Sequence, residues 1–110
     1  MPVRIAIGED SLIVREGLQQ LLAVDPEVEI VATVGDQPSL RRACEEEQPD
    51  VVLTDIRMPP THTDEGIELA GELRESHPRI GVVILCQFSE PDYALALLEH
   101  GSDGRAYLLK

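Results

Sequence analysis

The sequence predicts an α/β fold: a parallel sheet of five strands with helices on both faces. Two observations carry that prediction. Short apolar runs rich in Val and Ile alternate with segments whose apolar residues recur at helical spacing, in the order βαβαβαβαβ. No repeat, low-complexity tract or linker interrupts the alternation across 110 residues, so one domain with right-handed crossovers is expected.

Val3 to Ile7 reads as a buried strand that stops at Gly8-Glu9-Asp10-Ser11. From Ser11 the pattern turns helical, with Val14, Leu18, Leu21 and Leu22 on an apolar face and Asp25-Pro26 as the break. Val28 to Val34 is the second strand, and Pro38 suits the first turn of a helix with apolar positions Leu40, Ala43 and Cys44. Gln48-Pro49-Asp50 closes that helix and opens Val51-Val52-Leu53-Thr54, a strand expected to be buried on both faces and to end at Asp55. Met58 to Gly66 has the Pro, Thr and Asp content of a loop, followed by a helix through Ile67, Ala70 and Leu73 that ends at His77-Pro78. Val82 to Leu85 is the fourth strand. Ser89-Glu90-Pro91-Asp92 reads as a cap for a helix through Ala94, Leu97 and Leu98 that Gly101 closes, and Ala106 to Leu109 is the fifth strand.

Composition narrows the function. Hydrophobic residues make up 43% and charged residues 27%, which is globular and argues against disorder or a membrane span. Twenty-one acidic residues against nine basic ones give a net charge of -12 and a pI near 4.4, so this segment repels a phosphate backbone. With no Trp, and only Phe88, Tyr93 and Tyr107 as aromatic rings, it also lacks a stacking platform for bases. Cys44 and Cys86 have no zinc spacing and read as reduced, buried thiols. His62, His77 and His100 are scattered and read as surface histidines, and Glu45-Glu46-Glu47 as a solvated helix face. The first residues carry no export signal, and a cytoplasmic location is expected.

In a doubly wound sheet, ligands bind beyond the carboxyl ends of the strands at the switch point. Those positions carry Glu9 and Asp10 after strand one, Asp55 after strand three, Cys86 after strand four and Lys110 after strand five. Singly, such carboxylates are more often caps or solvated loop residues and a lone Lys says little; together they are a pattern. In the flavodoxin-like order 2-1-3-4-5 the three carboxylates become neighbours and need a hard divalent cation. Mg²⁺ suits them, because it keeps its waters and accepts one or two carboxylates plus phosphate oxygens. Lys110 adds a positive charge suited to a phosphoryl oxygen, and Asp55 is the candidate nucleophile.

Glu9-Asp10-Ser11, the block Asp55-Ile56-Arg57-Met58-Pro59 and the ending Tyr107-Leu108-Leu109-Lys110 resemble the receiver domain of two-component response regulators. Val14-Arg15-Glu16-Gly17-Leu18 and the Leu-Leu-Lys ending are similar to the NarL/LuxR type, in which a receiver precedes a helix-turn-helix domain. The resemblance implies that Asp55 is the phosphoacceptor and that Glu9, Asp10, Asp55 and the Arg57 backbone carbonyl hold Mg²⁺. It implies that Lys110 and Cys86 contact the phosphoryl group, that Cys86 and Tyr107 form the switch, and that Arg57 and Phe88 modulate the rates. The implied partners are a sensor histidine kinase, a second copy of the chain, and DNA through a C-terminal domain not in this chain; the activity is self-directed phosphotransfer and dephosphorylation.

Cys86 departs from the family, which usually has Thr or Ser there. A thiol donates more weakly, so switching is expected to be weakened, and a receiver-like scaffold that no longer switches is the rival reading. An aspartyl-phosphate phosphatase is disfavoured, because Arg57 stands where that class wants a second Asp. A flavodoxin-like electron carrier is disfavoured by the missing P-loop and aromatic residues. A fifth helix is expected after strand five and is missing from this chain. The apolar surface left bare beside helix one is expected to drive self-association.

Overall fold

The computed structural model describes residues 2–56, 65–86 and 105–109, with Cys86 and residues 105–109 described by their backbone. The elements are β1 (Val3–Gly8), α1 (Leu12–Ala23), β2 (Val28–Val34), α2 (Gln37–Glu47), β3 (Val51–Asp55), α3 (Glu65–Ser76), β4 (Gly81–Cys86) and β5 (Arg105–Leu109). The strands pair in parallel in the order β2-β1-β3-β4-β5, so the chain reverses its direction of travel across the sheet at β1. The helix expected through Ala94, Leu97 and Leu98 lies outside the described residues.

Local chemistry explains where the helices start. Ser11 is extended at φ -79° and ψ 119°, and its hydroxyl accepts the Val14 N–H at 3.4 Å, capping α1. Asp36 caps α2 by accepting the Ser39 N–H at 2.8 Å, with Pro38 in the first turn where its missing N–H costs nothing. Gln48 ends α2 in the left-handed conformation at φ 46°, and its N–H closes the last turn on the Cys44 carbonyl at 3.0 Å.

The core lies between the sheet and the α2/α3 layer. Ala6, Val52, Val82 and Ile84 from the sheet meet Leu40 and Cys44 of α2 and Leu69, Ala70 and Leu73 of α3. Leu40, Ala43 and Cys44 are all buried, as their spacing requires. Gln37 and Glu65 are buried as well, and the Gln37 amide donates to the Glu65 main-chain carbonyl at 3.1 Å, tying the start of α2 to the start of α3.

The opposite face is covered less tightly, which corrects the expectation that β3 is buried on both faces. Val52 and Thr54 are buried, whereas Val51, Leu53 and Asp55 are half-buried. The cause is the placement of α1, which packs against β2 and has no buried residue of its own. Val14, Leu18 and Leu22, four residues apart, form its half-buried stripe. Leu21, read from the sequence as part of that face, is 74% exposed, because one position before Leu22 rotates it off the stripe. Gly66 is a second correction: expected as the end of a loop, it is the second residue of α3. No helix among the described residues is long and apolar enough to cross a membrane.

Candidate functional site

Strand register assembles the site. Gly8 of β1 pairs with Thr54 of β3, which sets Glu9 and Asp10, the next two residues, beside Asp55. Asp55 pairs with Leu85 and Cys86 with Leu109, so the ends of β3, β4 and β5 face the same rim of the sheet. One carboxylate oxygen from each of Glu9, Asp10 and Asp55 falls within 4.8 Å of the others. Glu9 is buried, Asp55 half-buried and Asp10 exposed.

Main-chain contacts hold Glu9 and the peptide that carries Asp55. The Glu9 N–H donates to the Val34 carbonyl at 3.0 Å, its carbonyl accepts from Arg15 Nη1 at 3.1 Å, and its carboxylate accepts the Ser11 N–H at 3.2 Å. On β3, the Thr54 hydroxyl donates to the Asp55 carbonyl at 3.0 Å. The Ile56 N–H donates to the Leu85 carbonyl at 3.3 Å, and the Ile56 carbonyl accepts the Gly66 N–H at 2.8 Å. The start of α3 therefore lies against the peptide that carries Asp55.

Three carboxylates this close repel one another when ionised. A hard cation with oxygen ligands relieves that repulsion, and Mg²⁺ fits the donor set, since a few carboxylates leave positions for water and phosphoryl oxygens. The exposed Asp10 and half-buried Asp55 leave such a cation open to solvent on one side.

Of the residues singled out from the sequence, Glu9, Asp10 and Asp55 come together. Cys86 and Tyr107 are placed by backbone alone, the latter paired with Ile84, while Arg57, Phe88 and Lys110 lie outside the described residues. Cys44 is a buried free thiol, and burial pushes its pKa up to about 11, which removes it from nucleophilic chemistry near neutral pH. His77 meets the Ser76 hydroxyl at 2.8 Å; His62 and His100 lie outside the described residues. Glu45, Glu46 and Glu47 are exposed, as expected, and Glu47 pairs with Arg4 at 3.2 Å. Sequence reasoning missed the buried Gln37 and Glu65, the hold of Arg15 on Glu9 and the contact of Gly66 with Asp55. Only the position of Arg15 one turn beyond Ser11 could have hinted at any of these.

A parallel α/β sheet with an acidic triplet at the β1/β3 switch point defines a class of α/β domains able to hold a cation at the carboxyl ends of their strands. The sequence matches the response regulator receiver domain family over residues 5–110, and the chain belongs to that family. It is 34% identical over 108 residues to the transcriptional regulatory protein DegU of Brevibacillus brevis, covering 98% of this chain and 44% of that protein. It is 37% identical to the transcriptional regulatory protein LnrK of Bacillus subtilis, again over 98% of this chain and 47% of the other. The chain thus spans about half the length of these relatives. Among solved structures, the signal receiver domain of the response regulator NarL from Mycobacterium tuberculosis superposes with a TM-score of 0.86 at 28% identity, over 98% of this chain and 83% of that one. A DNA-binding response regulator of the LuxR family from Staphylococcus aureus superposes with a TM-score of 0.85 at 31% identity, over 97% and 85%. The receiver is of the NarL/LuxR type.

Proposed function

We propose that this receiver takes a phosphoryl group onto Asp55 from the phosphohistidine of a sensor kinase and passes the signal to an output carried elsewhere in a longer protein. The observation that supports this reading most directly is the meeting of Glu9, Asp10 and Asp55 oxygens within 4.8 Å. In the transfer, an Asp55 carboxylate oxygen forms a bond to phosphorus as the P–N bond of the donor breaks, and the electron pair leaves with the imidazole. Glu9, Asp10 and Asp55 would hold Mg²⁺ together with the Arg57 carbonyl; the ion, when bound, offsets charge on the phosphoryl oxygens. Lys110 and Cys86 would contact those oxygens, Cys86 and Tyr107 would relay the change, and Arg57 and Phe88 would set access to the acyl phosphate. Water later hydrolyses that acyl phosphate and regenerates the Asp55 carboxylate.

The relatives are named as transcriptional regulators and this chain spans about half of them, so a DNA-binding output beyond this segment, in the cytoplasm and with self-association, completes the reading. No observation on the described residues favours the rival scaffold reading, which rests on Cys86. The test is intact-mass analysis after incubation with Mg²⁺ and acetyl phosphate or a phosphorylated histidine donor, alongside Asp55→Asn. A single phosphoryl adduct lost in Asp55→Asn and on omission of Mg²⁺ is expected. A folded, Mg²⁺-binding protein that takes no adduct from either donor would overturn it.

A further inference from the structure

We propose that Arg15 is a positioning residue for the acidic site and that Gly35 is its seat; this deepens the reading above and rests on it. Arg15 is the fourth residue of α1, and its Nη1 reaches back across the β1–α1 loop to the Glu9 carbonyl at 3.1 Å. That carbonyl belongs to the peptide unit joining Glu9 to Asp10. A bond to it therefore fixes the rotation from which both carboxylates leave the main chain.

The remaining contacts make this bond decisive rather than incidental. Glu9 is anchored on its N–H side by Val34 at 3.0 Å, and its carboxylate is turned by the Ser11 N–H at 3.2 Å. Ser11 is in turn tied to the same helix, since its carbonyl accepts the Arg15 N–H at 2.9 Å. Arg15 thus grips the loop twice, by main chain at Ser11 and by guanidinium at Glu9. Its charge is permanent, so it also offsets part of the repulsion among the three carboxylates. Its bond goes to a main-chain carbonyl, which leaves it outside the cation's position.

Gly35 shows that room has been kept for this contact. A Cβ on Gly35 would lie 2.5 Å from Arg15 Nη1 and 3.7 Å from the Glu9 carbonyl oxygen. The Gly35 backbone does not adopt the left-handed angles that demand glycine. Space for the guanidinium is what a side chain there would take away. Because the nearest atom is the tip of a flexible side chain, alanine at 35 is expected to fold and to displace the guanidinium while leaving Arg15 intact.

The experiment measures the Mg²⁺ dissociation constant by calorimetry, with Mg²⁺ alone as the probe, in the wild type, Arg15→Met, Gly35→Ala and the double variant. Amide exchange at Glu9 and Ser11 is followed in metal-free protein. Each single variant is expected to weaken Mg²⁺ binding about tenfold, as loss of a contact behind a ligand does. Because both changes break one contact, the double variant is expected to bind within about twofold of the weaker single variant. Exchange at Glu9 and Ser11 is expected to quicken in all three. Unchanged Mg²⁺ affinity with faster exchange would reduce Arg15 to a structural role and overturn the proposal, as would fully additive losses in the double variant. Absence of Mg²⁺ uptake by the wild type would overturn the reading of the site itself, and is distinguished because metal-free exchange still reports whether Arg15 holds the loop.

Discussion

Gly66 and Gly71 lie on the same helix, and replacing each with alanine is expected to move stability in opposite directions. A Cβ on Gly66 would collide with the Asp55 carbonyl oxygen and stand 3.0 Å from both the Asp55 carbonyl carbon and Ile56 Cα. All three are backbone atoms at the end of β3 and just beyond it, tied in place by Thr54 and Leu85, so the start of α3 must retreat. Overpacking of this kind costs roughly 1–3 kcal/mol. Losing the Gly66 N–H bond to Ile56 adds about 1 kcal/mol, and the better helix propensity of alanine returns at most ~1 kcal/mol. A net loss of about 2 kcal/mol is expected. At Gly71, by contrast, no atom lies within 4 Å of the added Cβ, so only the propensity gain of about 0.5–1 kcal/mol remains. Urea unfolding followed by far-ultraviolet circular dichroism suits a chain without Trp. With an m-value of about 1.5 kcal/mol/M, Gly66→Ala should lower the midpoint by about 1.3 M and Gly71→Ala should raise it by roughly 0.5 M. A Gly66→Ala midpoint within about 0.3 M of wild type would refute the contact with Asp55. Because that contact is to the carbonyl of Asp55, the proposed phosphoacceptor, Gly66→Ala should also slow adduct formation, while Gly71→Ala should not.

Three further outcomes test the packing. Gln37→Met keeps the side chain's bulk but strips the Glu65 carbonyl of its 3.1 Å donor, and should cost about 1–2 kcal/mol in the same urea assay. The Arg41–Glu72 pair is two-pronged at 2.9 and 3.0 Å, and the Glu72 carboxylate raises the Arg41 pKa. With side chains 38% and 42% exposed, its coupling in a double-mutant cycle should nevertheless be only about 0.5 kcal/mol and should shrink in high salt. Burial raises the Cys44 thiol from 9.0 to about 11. The unfolded chain therefore ionises first, and the stability this site contributes is full below pH 9 and lost as pH rises towards about 11. That difference corresponds to at most about 2.7 kcal/mol. Cys44→Ala should flatten this part of the pH–stability curve; an unchanged slope would mean the thiol is not sealed from water.

The sequence carried the strand order of events and the acidic triplet because both are written in local patterns. Apolar runs mark β1 to β4, Pro38 marks the start of α2, and the carboxylates stand immediately after strands. What it could not carry depends on distance through space. Val51 and Leu53 are as apolar as Val52, so nothing in β3 itself says that one face is left half-covered; that follows from where α1 settles on β2. Gly66 reads as a loop residue because glycine is a poor helix former, yet it opens α3 where only a residue without Cβ can lie against Asp55. Gln37 and Glu65 are polar and far apart in the chain, and their burial is a consequence of two helices starting beside each other.

The acidic site straddles two halves of unequal firmness. Asp55 belongs to the firm half: its peptide is pinned by Thr54, Leu85 and Gly66, behind which stands the packed layer of Leu40, Cys44, Leu69 and Leu73. Asp10 belongs to the other half, where α1 has no buried residue and Ile13, Leu21 and Val24 are more than 70% exposed, and Glu9, buried at the end of β1, joins the two. Few buried contacts mean low local stability, so the loop that carries Asp10 depends on Ser11 and Arg15 more than on a surrounding core. A cation or phosphoryl group held by both halves would gain its binding energy only when the α1 side is in register with the sheet. By linkage it would strengthen that register in return, in proportion to its affinity for the ordered form. On the proposed function, the firm half fixes Asp55 as the acceptor, and the looser half, the loop at Asp10 with α1, is the side free to respond to a charge change there.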